Sequence, residues 1–184
     1  MDGFRVGFAA GDVESKVKRG VHVTKTERRV ARQARDEGKA ALWVLGELHT
    51  IRVRDEAYAL LDSATPPGGG LPPHIHRDQD EAIYILNGEY TLVIENEESR
   101  MVPGSFASVP RGTVHALKKL AGDAPGHSLA ILMPPGAMER FLEEVGVPVV
   151  DRSVSLAPPK DAPEMEDVVA SARQHGIYLL TRPV

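Results

Sequence analysis

Two histidines one residue apart, His74-Ile75-His76, constrain this chain more than any other feature. In a β-strand, side chains two apart project from the same face, so both imidazoles can reach one point. Glu81 follows the polar stretch Arg77-Asp78-Gln79-Asp80, which reads as a hairpin-like turn, and it begins an apolar run, Ala82 to Leu86, that Gly88 ends. Such a run returning beside the histidine strand would carry the carboxylate back toward the imidazoles. Further on, Pro110-Arg111-Gly112 makes a tight turn before Thr113-Val114-His115, which offers a third imidazole. Three neutral nitrogens and one carboxylate suit a divalent transition metal, with positions left open for water, substrate or O₂. Any one of these histidines alone would be read as a core or surface residue. Four ligands arriving in order, each at a spacing that a strand pair can converge, read as a metal site.

The same residues resemble the cupin motifs. Gly68, His74, His76, Glu81 and Gly88 fit G-x5-HxH-x4-E-x6-G, and Gly104, Pro110, Gly112 and His115 fit G-x5-PxG-x2-H-x3-N. Lys119 stands where the closing Asn of the pattern would be. That Asn is not a metal ligand in the family, so the departure touches a turn and not the site. Fifteen residues separate the two halves, and each half occurs once, as in a compact single-barrel cupin. The resemblance implies an all-β fold, a cupin jelly-roll β-barrel (double-stranded β-helix). It implies His74, His76, Glu81 and His115 as ligands to one divalent transition metal per chain: Fe, Mn, Ni, Co or Cu, with Zn as a further option. From Trp43 through Pro135 and the following helix, the chain looks most like the quercetin 2,3-dioxygenase-like bacterial single-domain cupins. A small-molecule substrate would then chelate through a hydroxyl or enolate, with O₂ as co-substrate. Glu81 would be the catalytic group, leaving the metal to take the proton of the substrate. The family also implies a homodimer.

The 184 residues suit one domain large enough to bury a core. With 22 Lys and Arg against 26 Asp and Glu, the formal charge of −4 asks for neither nucleic acid nor an anionic membrane as partner. The absence of cysteine excludes disulfides, thiolate ligands and a Cys nucleophile. No charged-then-apolar leader and no long apolar run are visible, so a cytoplasmic chain is expected.

Three regions follow. Residues 1–40 form a basic N-terminal extension, with Thr24 and Glu27 reading as a capping box and Thr26 to Glu37 as a short, weakly amphipathic helix. Residues 41–135 form the barrel. Its strands read as Leu42–Leu45, His49–Arg54 (Ile51 and Val53 on one face), Tyr58–Leu61, Tyr90–Glu95, Ser105–Val109, Val114–Leu117 and Ser128–Met133. Thr65–Gly70 reads as a loop at the pocket mouth, and Asn96-Glu97-Glu98 as a turn. Residues 136–184 pack on the barrel: a helix over Ala137–Val145 stopped by Gly146, a Pro-rich connector over 148–162, a second helix from Pro163 or Glu164 to His175, and an apolar tail from Ile177.

Strand alternation places Ile83 and Ile85 inward after Glu81, with Tyr84 outward. It aligns Leu117 with His115, and it turns Phe106 and Ser108 toward the pocket. The cavity is thus expected to be largely apolar, with few acid/base groups beyond the ligands, which suits an aromatic or polyketide-like molecule. Three functions remain open: an O₂-dependent enzyme, a non-redox metal-dependent isomerase, cyclase or lyase, and a non-catalytic binding module. His22, His49, His127 and His175 are isolated and read as surface or structural residues.

Overall fold

Tight turns punctuate a chain of short strands. The computed structural model describes residues 41–122, 124–149 and 159–180. The expected helix over 26–37 and His22 lie outside them. Twelve strands and two helices are described: β1 (Ala41–Val44), β2 (Glu47–Arg54), β3 (Ala59–Thr65), β4 (His74–His76), β5 (Asp80–Asn87), β6 (Tyr90–Ile94), β7 (Glu97–Met101), β8 (Phe106–Val109), β9 (His115–Lys119), β10 (Gly126–Met133), α1 (Ala137–Val145), β11 (Val147–Val149), α2 (Met165–Gln174) and β12 (Ile177–Leu179). They form two antiparallel sheets, one ordered β11-β1-β2-β3-β10-β5-β8 and the other β12-β4-β9-β6-β7. This is the all-β jelly roll that the motif resemblance implies. No helix among the described residues is long and apolar enough to cross a membrane.

The strand carrying His74 and His76 pairs with β9 and β12, whereas the strand of Glu81 pairs with β10 and β8. The expected hairpin between them is therefore corrected. Glu81 meets the imidazoles across the space between two sheets, not from a neighbouring strand. The connection is no free turn either. Gln79, 2% exposed, donates to the Pro134 carbonyl at 2.7 Å and accepts from the Met138 N–H at 3.0 Å, which fastens the chain before Glu81 to the first turn of α1.

Two other differences, in β3 and β7, share one cause, namely polar residues on inward or edge positions. β3 runs past the expected end at Leu61 to Thr65, the first residue of the expected loop, because the Ser63 and Thr65 side chains point inward and find partners on β2. β7 begins at Glu97. The turn before it is only Glu95-Asn96, closed by a left-handed Glu95 (φ 56°), and the polar sequence belongs to an exposed edge strand. In β2 the register jumps between Ile51, opposite Leu61, and Val53, opposite Leu60. Arg52 is thus an extra residue, and Ile51 and Val53 do not share a face.

α1 spans the expected residues and packs Met138, Phe141, Leu142 and Val145 with Val168 and Ala172 of α2 onto Val44, Ala59, Leu61 and Leu132. Each such side chain removed from water contributes roughly 1.5–3 kcal/mol for the larger apolar residues. A second cluster, Ile83, Ile85, Tyr90, Leu92, Met101 and Val109, packs strands of the two sheets against each other. The apolar tail pairs as β12 directly with β4, setting Ile177 opposite His76 and Leu179 opposite His74. It is thus the backbone neighbour of the histidine strand.

Candidate metal centre

His74 and His76 sit at the two ends of a three-residue strand, and His115 opens β9 opposite His74. The Pro110-Arg111-Gly112 turn of the second motif half is held to both sheets. The Gly112 N–H donates to the His76 carbonyl at 2.8 Å, and the Arg111 guanidinium forks onto Asp80 at 3.0 and 2.7 Å. Gly112 has φ 80°, a conformation that favours glycine, and this lets the chain reverse there. Lys119, at the place of the motif's Asn, is buried. Its stem lies against Gly88 and Gly126, where a Cβ would come within 2.9 and 2.7 Å of it, and its ammonium donates to the Leu120 carbonyl. It does not line the cavity of the histidines.

The four residues read from the motifs converge. His74, His76, Glu81 and His115 each offer a donor atom, and these atoms lie within 4.8 Å of one another. His74 Nδ1–H donates to the Pro72 carbonyl at 2.9 Å and His115 Nδ1–H to the Thr113 carbonyl at 3.0 Å. In each ring this leaves Nε2 to face inward, the arrangement that backbone carbonyls impose on ligating histidines. Glu81 Oε2 lies 3.0 Å from His115 Nε2 and 3.2 Å from His76 Nε2. Burial pushes the His74 imidazole down to about 3, helped by the charges of His76 and His115, so it is neutral near pH 7. Burial would raise Glu81, but hydrogen bonds from His115 and His76 outweigh it and hold the carboxyl well below its ordinary range. Burial would lower His115, but the hydrogen bond and charge of Glu81 raise it, so its proton would leave as a metal binds; with neutral His74 and ionised Glu81, the donor set fits a divalent transition metal.

The cavity beside these donors measures about 50 Å³. Ile83 and Leu117 line it, as strand alternation predicts. Ile85 is inward but belongs to the packed core. Phe106 and Ser108 are corrected: Phe106 is 61% exposed, Ser108 is exposed, and their strand turns Ala107 and Val109 inward instead. Starting that strand at Ser105 gave no marker of which parity faces in, since Phe106 looks like a core residue. The expectation of a cavity with few other acid/base groups is also corrected. Glu47 and His49 line it, with Ser63 and Ser128. His49 is thus neither at the surface nor isolated. The available signal was the two-residue spacing of Glu47 and His49 within one strand, the same period that marks His74 and His76. His127 and His175 stand apart from the cavity, near Asp62 and Glu144 respectively.

Comparison with known proteins agrees with this geometry. Residues 62–132 match the Cupin domain family. The chain is 29% identical over 106 residues to the quercetin 2,3-dioxygenase of Bacillus subtilis (strain 168), a match covering 55% of this chain and 31% of that protein. The chain spans about a third of the length of the curated relatives it matches. Among solved structures, KdgF from Halomonas sp. superposes with a TM-score of 0.53 at 21% identity, covering 58% of this chain and 96% of that one. The polyketide cyclase RemF from Streptomyces resistomycificus superposes with a TM-score of 0.50 at 20% identity, covering 58% and 81%. At these identities the likeness is one of fold.

Proposed function

This chain belongs to the cupin superfamily, and from that premise we propose that it is a mononuclear metal-dependent enzyme whose metal is held by His74, His76, Glu81 and His115. The observation that carries the reading is the convergence of these four donor atoms inside one cavity. The first activity proposed is dioxygenase-like, on an aromatic, flavonoid or polyketide-like substrate that presents an enol or hydroxyl, with O₂ as co-substrate. The similarity to a quercetin 2,3-dioxygenase over 106 residues supports it. The metal would supply a Lewis-acid anchor for the substrate oxygen and, if redox-active, a route for electrons to O₂.

The residues of the chain do the rest. The Pro72 and Thr113 carbonyls fix the His74 and His115 rings. Glu81 Oε2 accepts the proton as the substrate hydroxyl O–H bond breaks. Ile83, Leu117 and Leu132 keep water from the reacting end. The cavity of about 50 Å³ is far below the roughly 300 Å³ of a drug-sized site, so only the chelating end of a large substrate enters it. O₂ uptake with a flavonol by the metal-loaded protein tests this reading. Turnover of an enol substrate without O₂ consumption refutes it.

A second reading, non-redox isomerisation, cyclisation or lyase chemistry, is favoured by Glu47 and His49, because such reactions need acid/base groups beside the metal. We further propose a cytoplasmic homodimer, with exposed Tyr84, Leu86 and Phe106 on the outer face of the larger sheet as its seam. Residues 1–40 would be an appended basic segment.

A further inference from the structure

Glu47 and His49 are a second pair of titratable groups in the cavity, and the four-donor cluster does not use them. They lie two apart on the inward face of β2 and are 6% and 2% exposed. Each is tied at its far atom to β3. His49 stands opposite Ser63 in the ladder and its Nδ1 is 2.8 Å from Ser63 Oγ, while the Thr65 hydroxyl donates to Glu47 Oε1. Their remaining atoms face each other, with Glu47 Oε2 3.7 Å from His49 Nε2. His49 Nε2 has no hydrogen-bond partner among the described residues. A buried polar atom left without a partner is rare in folded proteins and points to a group that arrives from outside the chain.

We propose that Glu47 and His49 are a proton-transfer pair acting on a small enolisable carbonyl compound bound in this cavity. The inference rests on the reading that the substrate's chelating end lies at the four-donor cluster, and it names the groups beside the reacting carbon. With Nδ1–H donating to Ser63, the Nε2 lone pair of His49 takes the proton from the carbon next to the carbonyl. The C–H electron pair becomes the enol double bond. Glu47 gives its carboxyl proton to the carbonyl oxygen, so one C–H bond breaks and one O–H bond forms. The proton on His49 then passes to Glu47, and both return to their starting forms with no electron gained or lost.

The environment suits these roles. Burial pushes Glu47 up to about 7, against the hydrogen bonds from Thr65 and the Leu71 N–H, so a protonated carboxyl is present near neutrality. Burial lowers His49 to about 4, so its imidazole is a neutral base. The other titratable groups around the pair are Glu81, Tyr90, His74, His76 and His115.

The experiment uses the full chain with its metal, quantified beforehand, and pyruvate as probe in D₂O, following loss of the methyl proton signal by NMR. Wild type should exchange these protons well above the buffer rate. His49→Gln and Glu47→Gln should each slow exchange by about 100-fold, the lower end of what a positioned acid or base contributes, with metal content retained and thermal stability not lowered. The imidazole ¹⁵N shifts of His49 should titrate differently in Glu47→Gln than in wild type, a response that does not depend on turnover. If His49→Gln fails to fold, Ser63→Ala, which removes only the orienting hydroxyl, should still slow exchange by about 10-fold. Folded variants that exchange as fast as wild type, or a metal-loaded wild type no faster than buffer, would overturn the pair. A wild type that takes up no metal would instead remove the four-donor reading on which it rests.

Discussion

Replacing Glu47 by Gln should make the metal-free protein more stable at pH 8 and leave it nearly unchanged at pH 4.5. The carboxyl is buried between β2 and β3, and burial raises it from an ordinary 4.5 to about 7 despite hydrogen bonds from Thr65 and the Leu71 N–H. Between those values the folded state keeps a proton that the unfolded chain has released, so stability falls as pH rises through the window. At about 1.4 kcal/mol per pKa unit, the full cost above pH 7 is about 3 kcal/mol. A neutral amide carries the same acceptor oxygen without that cost. For a domain of this size, each kcal/mol moves Tm by about 2–4 °C, so the variant should melt about 6–12 °C above wild type at pH 8. Thermal unfolding of both proteins after chelation, at pH 4.5 and 8, measures the difference. Chelation is needed because a nearby cation would favour the carboxylate. His74 titrates in both proteins, so its contribution drops out of the comparison. A gap between variant and wild type that is the same at both pH values, or a variant less stable at pH 8, would refute the argument.

Glu81→Gln should abolish turnover while largely sparing metal binding, checked by metal analysis beside O₂ uptake; equal activity would count against its role as base. Phe141→Ala, which opens a void where α1 and α2 meet the larger sheet, should cost about 3–5 kcal/mol in urea unfolding. Phe106→Ser should change neither metal content nor turnover, because its ring lies outside the barrel. A loss of activity there would show that the face of β8 contributes to the site.

The four candidate donors were legible because one short pattern carries both their identity and their aim. His74 and His76 share a strand face by period, and the Pro110-Arg111-Gly112 turn delivers His115, whereas Glu81 follows a polar stretch that Gln79 fastens to α1. What the pattern does not encode is which sheet each strand joins. The run from Glu81 to Leu86 is apolar whether it pairs beside the histidines or faces them across the barrel. Tertiary pairing with β10 and β8 decides it. Glu47 and His49 were hidden for a related reason. Their partners Ser63 and Thr65 lie on a stretch too polar to read as an inward strand face, and only the pairing of β2 with β3 satisfies both sides. Phe106 misled in the opposite sense, since an aromatic residue on an exposed face looks like core until the parity of its strand is known.

The most direct test of the central claim is metal content by plasma mass spectrometry on full-length protein purified anaerobically and without a nickel column. About one transition-metal ion per chain is expected, lost in His74→Ala. Protein that holds no stoichiometric metal, even after reconstitution with Fe, Mn, Ni, Co, Cu or Zn, would contradict it.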